Sequence, residues 1–191
     1  MIPQIIVVGA VPSRVDALQE LLSRFPSRFP VPIAVAMHRD GRADEELCER
    51  LRQASRLPIG EPEDKEVIAP GRIYLAPSDY HLLIERGYFA LSLAPPVEEA
   101  RPSANMLFES AAEAYREGVI GIILTGAGRV AARGLAQIKR RGGMAIVEET
   151  MATELHALPE VAWEAAEVDQ ALSLGQMAAF LSDLCPAIVR S

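Results

Sequence analysis

The chain has 191 residues, half of them hydrophobic and 24% charged, which suits one domain with a full core. Its formal net charge is −7 and no basic stripe runs through it, so a nucleic-acid backbone is excluded as the expected partner. Two cysteines, Cys48 and Cys185, fit neither a disulfide framework nor a metal-ligand spacing, and no apolar run approaches the roughly 18 residues of a membrane span. With no basic leader ahead of the first strand, the expectation is a reduced, cytoplasmic protein with no membrane insertion.

Residues 4–9 read as a buried strand, Ile5-Ile6-Val7-Val8-Gly9 running into Ala10. A helix follows over 12–25, with Val15, Leu18, Leu21, Leu22 and Phe25 apolar. A strand, a sharp turn and a helix is where a nucleophile elbow sits. Its apex here is Val11, which has no nucleophilic atom, and Pro12 has no N–H to offer an oxyanion. Ser13 supplies the hydroxyl of this turn. Its expected role is to cap the helix, and its alternative role is that of a displaced nucleophile.

The second strand, 32–37, ends at His38, a position suited to acid–base work or to a local hydrogen bond. A helix over 43–54 carries Cys48 on its apolar side. After a strand at 72–76 the alternation breaks. His81–Glu85, Arg86-Gly87 and Tyr88–Leu93 read as an antiparallel hairpin, followed by Ala94-Pro95-Pro96 and an acidic loop at Glu98-Glu99. A helix at 103–116, a strand at 119–124, a helix at 128–141 and a strand at 143–147 resume it, with further helices at 160–166 and 176–184. Lys139-Arg140-Arg141 falls at a helix C-terminus, where cations complement the macrodipole. Strands that are continuous apolar runs are buried on both faces. The fold class expected is therefore α/β: a doubly wound, mainly parallel sheet flanked by helices, with a hairpin insertion, in one domain over 1–191.

In such a sheet ligands bind beyond the C-terminal ends of the strands. Those ends are Gly9-Ala10-Val11, Met37-His38-Arg39, Thr125-Gly126-Ala127 and Val147-Glu148-Glu149. One of them, Gly126-Ala127-Gly128-Arg129-Val130-Ala131, matches the G-x-G-x-x-G/A dinucleotide fingerprint, with Glu148 about 20 residues on. This leaves a nucleotide-binding module as one reading, and a packing glycine turn as the other. His38, His81 and His156 lie on unrelated segments, so no metal and no cofactor is implied.

Three stretches carry a more specific signal: Pro70-Gly71-Arg72-Ile73-Tyr74-Leu75-Ala76-Pro77-Ser78-Asp79-Tyr80-His81-Leu82-Leu83, Arg101-Pro102-Ser103 with Leu107-Phe108, and Gly121-Ile122-Ile123-Leu124-Thr125-Gly126. In this order, and with the segments around them from Ile5 to about Leu181, they resemble the catalytic domain of the chemotaxis protein-glutamate methylesterases, the CheB-type family. The resemblance implies hydrolysis of methyl esters on chemoreceptor glutamates, and in many members deamidation of glutamines, by a Ser-His-Asp triad. It displaces the dinucleotide reading, because the family uses the Leu-Thr-Gly turn in its active site.

Carried onto this chain, the serine position is Val11, the histidine is retained as His38 and the aspartate position is Val130. The Thr-Gly-Gly usual after the serine is Pro12-Ser13-Arg14, and the methionine near the oxyanion site is Ala127. Arg101 keeps its place in the Arg-Pro-Ser-x-Asp motif, whose aspartate is Asn105, and a loop glutamate of the family falls at Thr150. The departures gather at the cleft formed with Thr125 and Gly126, while the scaffold motifs stand. Losing a triad serine typically costs roughly 10⁶-fold in rate. The expectation is an inactive homologue that binds chemoreceptor cytoplasmic helices or another chemosensory protein. In its apolar cleft His38 is left as a lone polar group. The alternative is an active enzyme using Ser13 with His38. No receiver domain is read in these residues, so phosphorylation control in cis is not expected.

Overall fold

In the computed structural model the described residues are 2–38, 44–150 and 168–186. The apolar runs form the strands they predict. β1 (Ile5–Ala10), β2 (Ile33–Met37) and β4 (Ile73–Leu75) are buried throughout, as is β7 (Val119–Ile123), while β8 (Met144–Glu148) is buried except at its first residue. With the short β3 (Ile59–Gly60) and β9 (Gln170–Leu172) they make a seven-stranded sheet in the order β3-β4-β2-β1-β7-β8-β9, parallel at every pairing. β5 (His81–Glu85) and β6 (Tyr88–Ser92) form the separate antiparallel hairpin.

Alternation along β1 divides the core in two. Ile6, Val8 and Ala10 pack with Leu18, Leu21 and Leu22 of α1 (Val15–Ser23), Leu51 of α2 (Asp44–Ala54) and Met177 and Leu181 of α5 (Leu174–Leu184). Ile5 and Val7 face the other way, onto Leu107, Phe108 and Ala111 of α3 (Ala104–Tyr115), Ala131 and Leu135 of α4 (Gly128–Arg140), and Leu82 and Phe89 of the hairpin. Such two-sided burial is why these strands read as unbroken apolar runs. Lys139, in the last turn of α4, holds its ammonium 2.6 Å from Asp169, and Cys48 is buried. The predicted helix at 160–166 and His156 lie outside the described residues.

α3 and α4 approach closely because α4 has no side chain at Gly134. A Cβ there would stand 2.6 Å from Cβ of Phe108 and 3.0 Å from the main-chain oxygen of Asn105. Gly134→Ala is therefore expected to destabilise the fold by about 1–3 kcal/mol in denaturant unfolding, despite the better helix propensity of alanine. A more stable variant would show that the two helices separate freely.

The first helix starts differently from the prediction. Pro12–Arg14 form a 3₁₀ turn, and α1 begins only at Val15. Neither start has a side-chain cap hydrogen bond, and Ser13 is exposed, so the capping role expected of Ser13 is not found. Pro12 takes the first position of the turn, where its missing N–H leaves nothing unpaired.

Candidate active site

The sheet itself brings the site positions together. β1 pairs with β2 on one side and β7 on the other, so chain segments leaving β1 and β7 diverge at the crevice between them. Val11 follows β1, His38 follows β2, and Thr125-Gly126-Ala127 follow β7. Gly126 has φ +87°, the left-handed region that glycine adopts without strain. A Cβ added at Gly126 would lie 3.0 Å from Cγ2 of Val11, so the valine side chain lies directly against this turn. Val11 and Val130 both pack, half-buried, on the core face that carries α3 and α4. Ala127 is completely buried and Thr125 nearly so.

His38 is exposed but has a partner within the crevice. Its Nδ1 lies 3.2 Å from the main-chain oxygen of Arg101, across 63 residues of sequence. The expectation of a lone polar group is thus corrected: the Arg101-Pro102 turn that leads into α3 supplies a carbonyl. The Arg101 guanidinium turns away, with Nη1 3.4 Å from the carbonyl oxygen of Ala94.

Thr125 is tied to the end of β8. Its main-chain N–H donates to Oε2 of Glu148 at 2.8 Å, and its hydroxyl shares a hydrogen bond with that of Thr150. The other oxygen of Glu148 accepts from Nη2 of Arg14 at 3.3 Å. Both carboxylate oxygens are therefore engaged within the protein, in a nearly buried position. This leaves the dinucleotide reading without the acidic group it assigns to a ribose. The ion pair also has a topological meaning. It joins the turn after β1 to the end of β8, and β7 lies between those strands, so the pair spans the C-terminal end of β7. Its role was missed in the sequence. The one available signal was a basic residue at one strand end and an acidic residue at another.

Asn105 lies in the first turn of α3, against α4. It is completely buried, with Oδ1 accepting from the Gly134 N–H at 2.7 Å and Nδ2 donating to Oε2 of Glu98 at 3.0 Å. Its amide joins the acidic loop and α3 to α4. His81 is completely buried as well. Its Nδ1 accepts from the Ser103 N–H at 3.2 Å and its Nε2 donates to the Pro95 carbonyl oxygen at 3.1 Å, fixing the base of the hairpin to the start of α3. Among the described residues no group of His, Cys, Asp and Glu is placed to hold a metal ion, and no helix is long and apolar enough to cross a membrane. A hollow of about 240 Å³ beside the first turn is lined by Pro12, Val15, Glu46, Leu47 and Arg50. A larger one, about 590 Å³, opens at the opposite end of the sheet among Ile2, Pro3, Pro32, Pro70 and Leu184. The chemistry places the site at the crevice, because the larger hollow is lined mainly by prolines and aliphatic side chains, and burial pushes the thiol of Cys185, which also lines it, up to about 11.

Known proteins are similar to this chain in sequence and architecture. The model of the CheB methylesterase family matches residues 6–181. A Leptospira interrogans protein, provisionally named a protein-glutamate methylesterase/protein-glutamine glutaminase, is 40% identical over 174 residues, covering 91% of this chain and 90% of that protein. The protein-glutamate methylesterase/protein-glutamine glutaminase of Maricaulis maris is 33% identical over 98% of this chain, which spans 46% of that relative's length. The crystal structure of the Thermotoga maritima CheB methylesterase catalytic domain superposes with a TM-score of 0.85 at 29% identity, covering 96% of this chain and 100% of that one. With the crevice, its motifs and these matches in agreement, the chain belongs to the CheB methylesterase family.

Proposed function

We propose that this chain is a catalytically silent member of its family, acting in a chemosensory pathway by binding a chemoreceptor helix or a partner protein rather than by hydrolysing an ester. The observation that carries this reading is the position of Val11. Its side chain lies against Gly126, at the position that the resemblance assigns to the family's nucleophile, and Pro12 follows it. A hydrocarbon can neither attack an acyl carbon nor be activated by a base. The next residue cannot donate to a tetrahedral oxyanion. Val130, at the position of the triad acid, cannot stabilise an imidazolium. Among the described residues the strands and helices around these positions are retained, which supports a retained binding surface and a discarded reaction.

The test is methanol release from a methylated chemoreceptor substrate. The native chain is expected to release none above the rate without protein. Release from a revertant carrying Val11→Ser and Val130→Asp would show in addition that the crevice still admits the substrate. Turnover by the native chain that disappears with Ser13→Ala would overturn the proposal and identify Ser13, exposed in the 3₁₀ turn, as a relocated nucleophile.

A further inference from the structure

Residues 95–103 form a loop closed at its neck by one side chain. The Pro95 carbonyl accepts from Nε2 of His81 at 3.1 Å, and the Ser103 N–H donates to Nδ1 of the same buried ring at 3.2 Å. Along the loop the Arg101 guanidinium returns to the Ala94 carbonyl, and Ala100 is buried. At the tip Val97 and Ala100 exchange both main-chain hydrogen bonds, at 3.1 and 3.0 Å. Glu98 and Glu99 between them have φ +52° and +63°, the pattern of a type I′ turn. Held at neck, flank and tip, this loop needs little further ordering when a partner touches it.

A type I′ turn selects asparagine and glycine, because other residues are strained at positive φ. Two glutamates occupy this one. Glu98 has a structural reason to be there: it accepts from Nδ2 of Asn105 at 3.0 Å and stands 3.8 Å from Arg133. Glu99 is exposed and has no side-chain hydrogen bond or ion pair among the described residues. No contact of its carboxylate there offsets its strain. Strain of this kind gathers where a side chain serves a ligand rather than the fold.

Beside the neck the surface is apolar. Tyr80 precedes His81, and Leu93 follows Ser92, the registered partner of His81, so the two flank one pair of the hairpin ladder. Leu93 is 68% exposed and Tyr80 36%. Pro95 and Pro96, also exposed, continue this surface toward the turn. Glu99 follows Pro95 by four residues and so lies within about 14 Å of the neck. An α-helix rises about 5.4 Å per turn. A helix laying an apolar stripe on Tyr80 and Leu93 therefore brings a Lys or Arg, one to three turns along, to Glu99. An acidic helix is repelled by the same turn and by the net charge of −7.

We propose that the 95–103 loop and the hairpin end beside it are a docking surface for a basic amphipathic helix of a partner protein, its apolar stripe covering Tyr80 and Leu93 and its cation pairing with Glu99. This rests on the reading above that the domain acts by binding, and it names the chemistry of what is bound. The surface is continuous with the crevice through Arg101, whose main-chain oxygen lies 3.2 Å from Nδ1 of His38.

The test titrates the native chain into a fluorescein-labelled helical peptide of leucine and lysine, read by anisotropy at physiological salt, beside a leucine–glutamate peptide of the same pattern. The lysine peptide is expected to bind and the glutamate peptide is not. Leu93→Ser is expected to weaken binding about tenfold, as the loss of an apolar anchor does. Glu99→Gly is expected to weaken it about tenfold while the denaturant midpoint stays equal or rises, because glycine relieves the positive φ. Glu117→Gln controls for net charge. Its carboxylate is exposed beyond the far end of α3, a helix that starts at the neck and runs about 18 Å, and it is expected to change binding less than about twofold. No binding of the lysine peptide, full binding by Leu93→Ser, or equal losses from Glu99→Gly and Glu117→Gln would overturn the proposal. A Glu99→Gly variant less stable than the native chain would overturn it too, by giving that glutamate a structural role. Methanol release by the native chain would refute the function proposed above and leave these readouts standing.

Discussion

Glu148→Ala is expected to destabilise the protein by about 3 kcal/mol or more in denaturant unfolding. The carboxylate is nearly buried and accepts from both the Thr125 N–H and the Arg14 guanidinium. Removing it leaves the Thr125 N–H without its acceptor and a partly buried guanidinium with only the exposed Asp16 carboxylate, 3.8 Å from its Nε, as counter-charge. Glu148→Gln is expected to cost less than half as much, because an amide oxygen can still accept from Thr125 while its NH₂ faces Arg14 unfavourably. Arg14→Ala is expected to cost less again, since that side chain is a third exposed and water can take its place. Hydrogen exchange at the Thr125 amide reports the same order locally. If Glu148→Ala left both unfolding and the Thr125 amide unchanged, the ion pair would not be holding the turn after β7.

The second large effect concerns Asn105→Asp, which places here the residue that the family's motif carries. In this chain the Nδ2 of Asn105 donates to Glu98, so an aspartate would set a fully buried carboxylate against that of Glu98, whose side chain is 40% exposed. The expected loss at neutral pH is about 3 kcal/mol. Burial and the Glu98 charge both raise the folded-state pKa of such an aspartate above its unfolded value of about 3.9. The deficit is therefore fully present above the raised folded value, and it shrinks as pH falls through that value. Combining Asn105→Asp with Glu98→Gln restores a donor facing the new carboxylate and is expected to recover most of the loss. A single variant as stable as the native chain at pH 7 would show that the acidic loop moves aside.

Local pattern made some features legible and long-range geometry hid the others. β1, β2, β7 and β8 were readable because burial on both faces leaves their runs apolar, with Glu148 at the very end of β8 as the exception. The hairpin was readable from its Arg86-Gly87 turn, and Gly87 has φ +93°. β3 has two residues and β9 has three with two exposed, so neither offers a pattern; each exists because a neighbouring strand lends it a ladder. The positions of Val11, His38 and Gly126 at one crevice follow from strand order. Their partners do not. The carbonyl that holds His38 is 63 residues away, and the carboxylate that holds Thr125 is 23 residues away. A main-chain acceptor carries no residue-type signature, so the link from His38 to Arg101 has no trace in the sequence. Asn105 stood in a site motif, and the structure gives its amide two partners that lock helices together.

The register of β1 bears on how such a protein evolves. Its paired residues end at Ala10 against Met37 on one side and at Gly9 against Ile123 on the other. Positions 11, 12 and 13 lie beyond the ladder, so exchanging their side chains alters no pairing between strands. Selection on folding and selection on chemistry thus act on neighbouring but separable residues. On the function proposed above, loss of the nucleophile leaves the scaffold unthreatened, and Val11 lies in apolar contact with the turn at Gly126. In this architecture a catalyst can become a binding protein through single substitutions, each of which leaves a folded intermediate for the next.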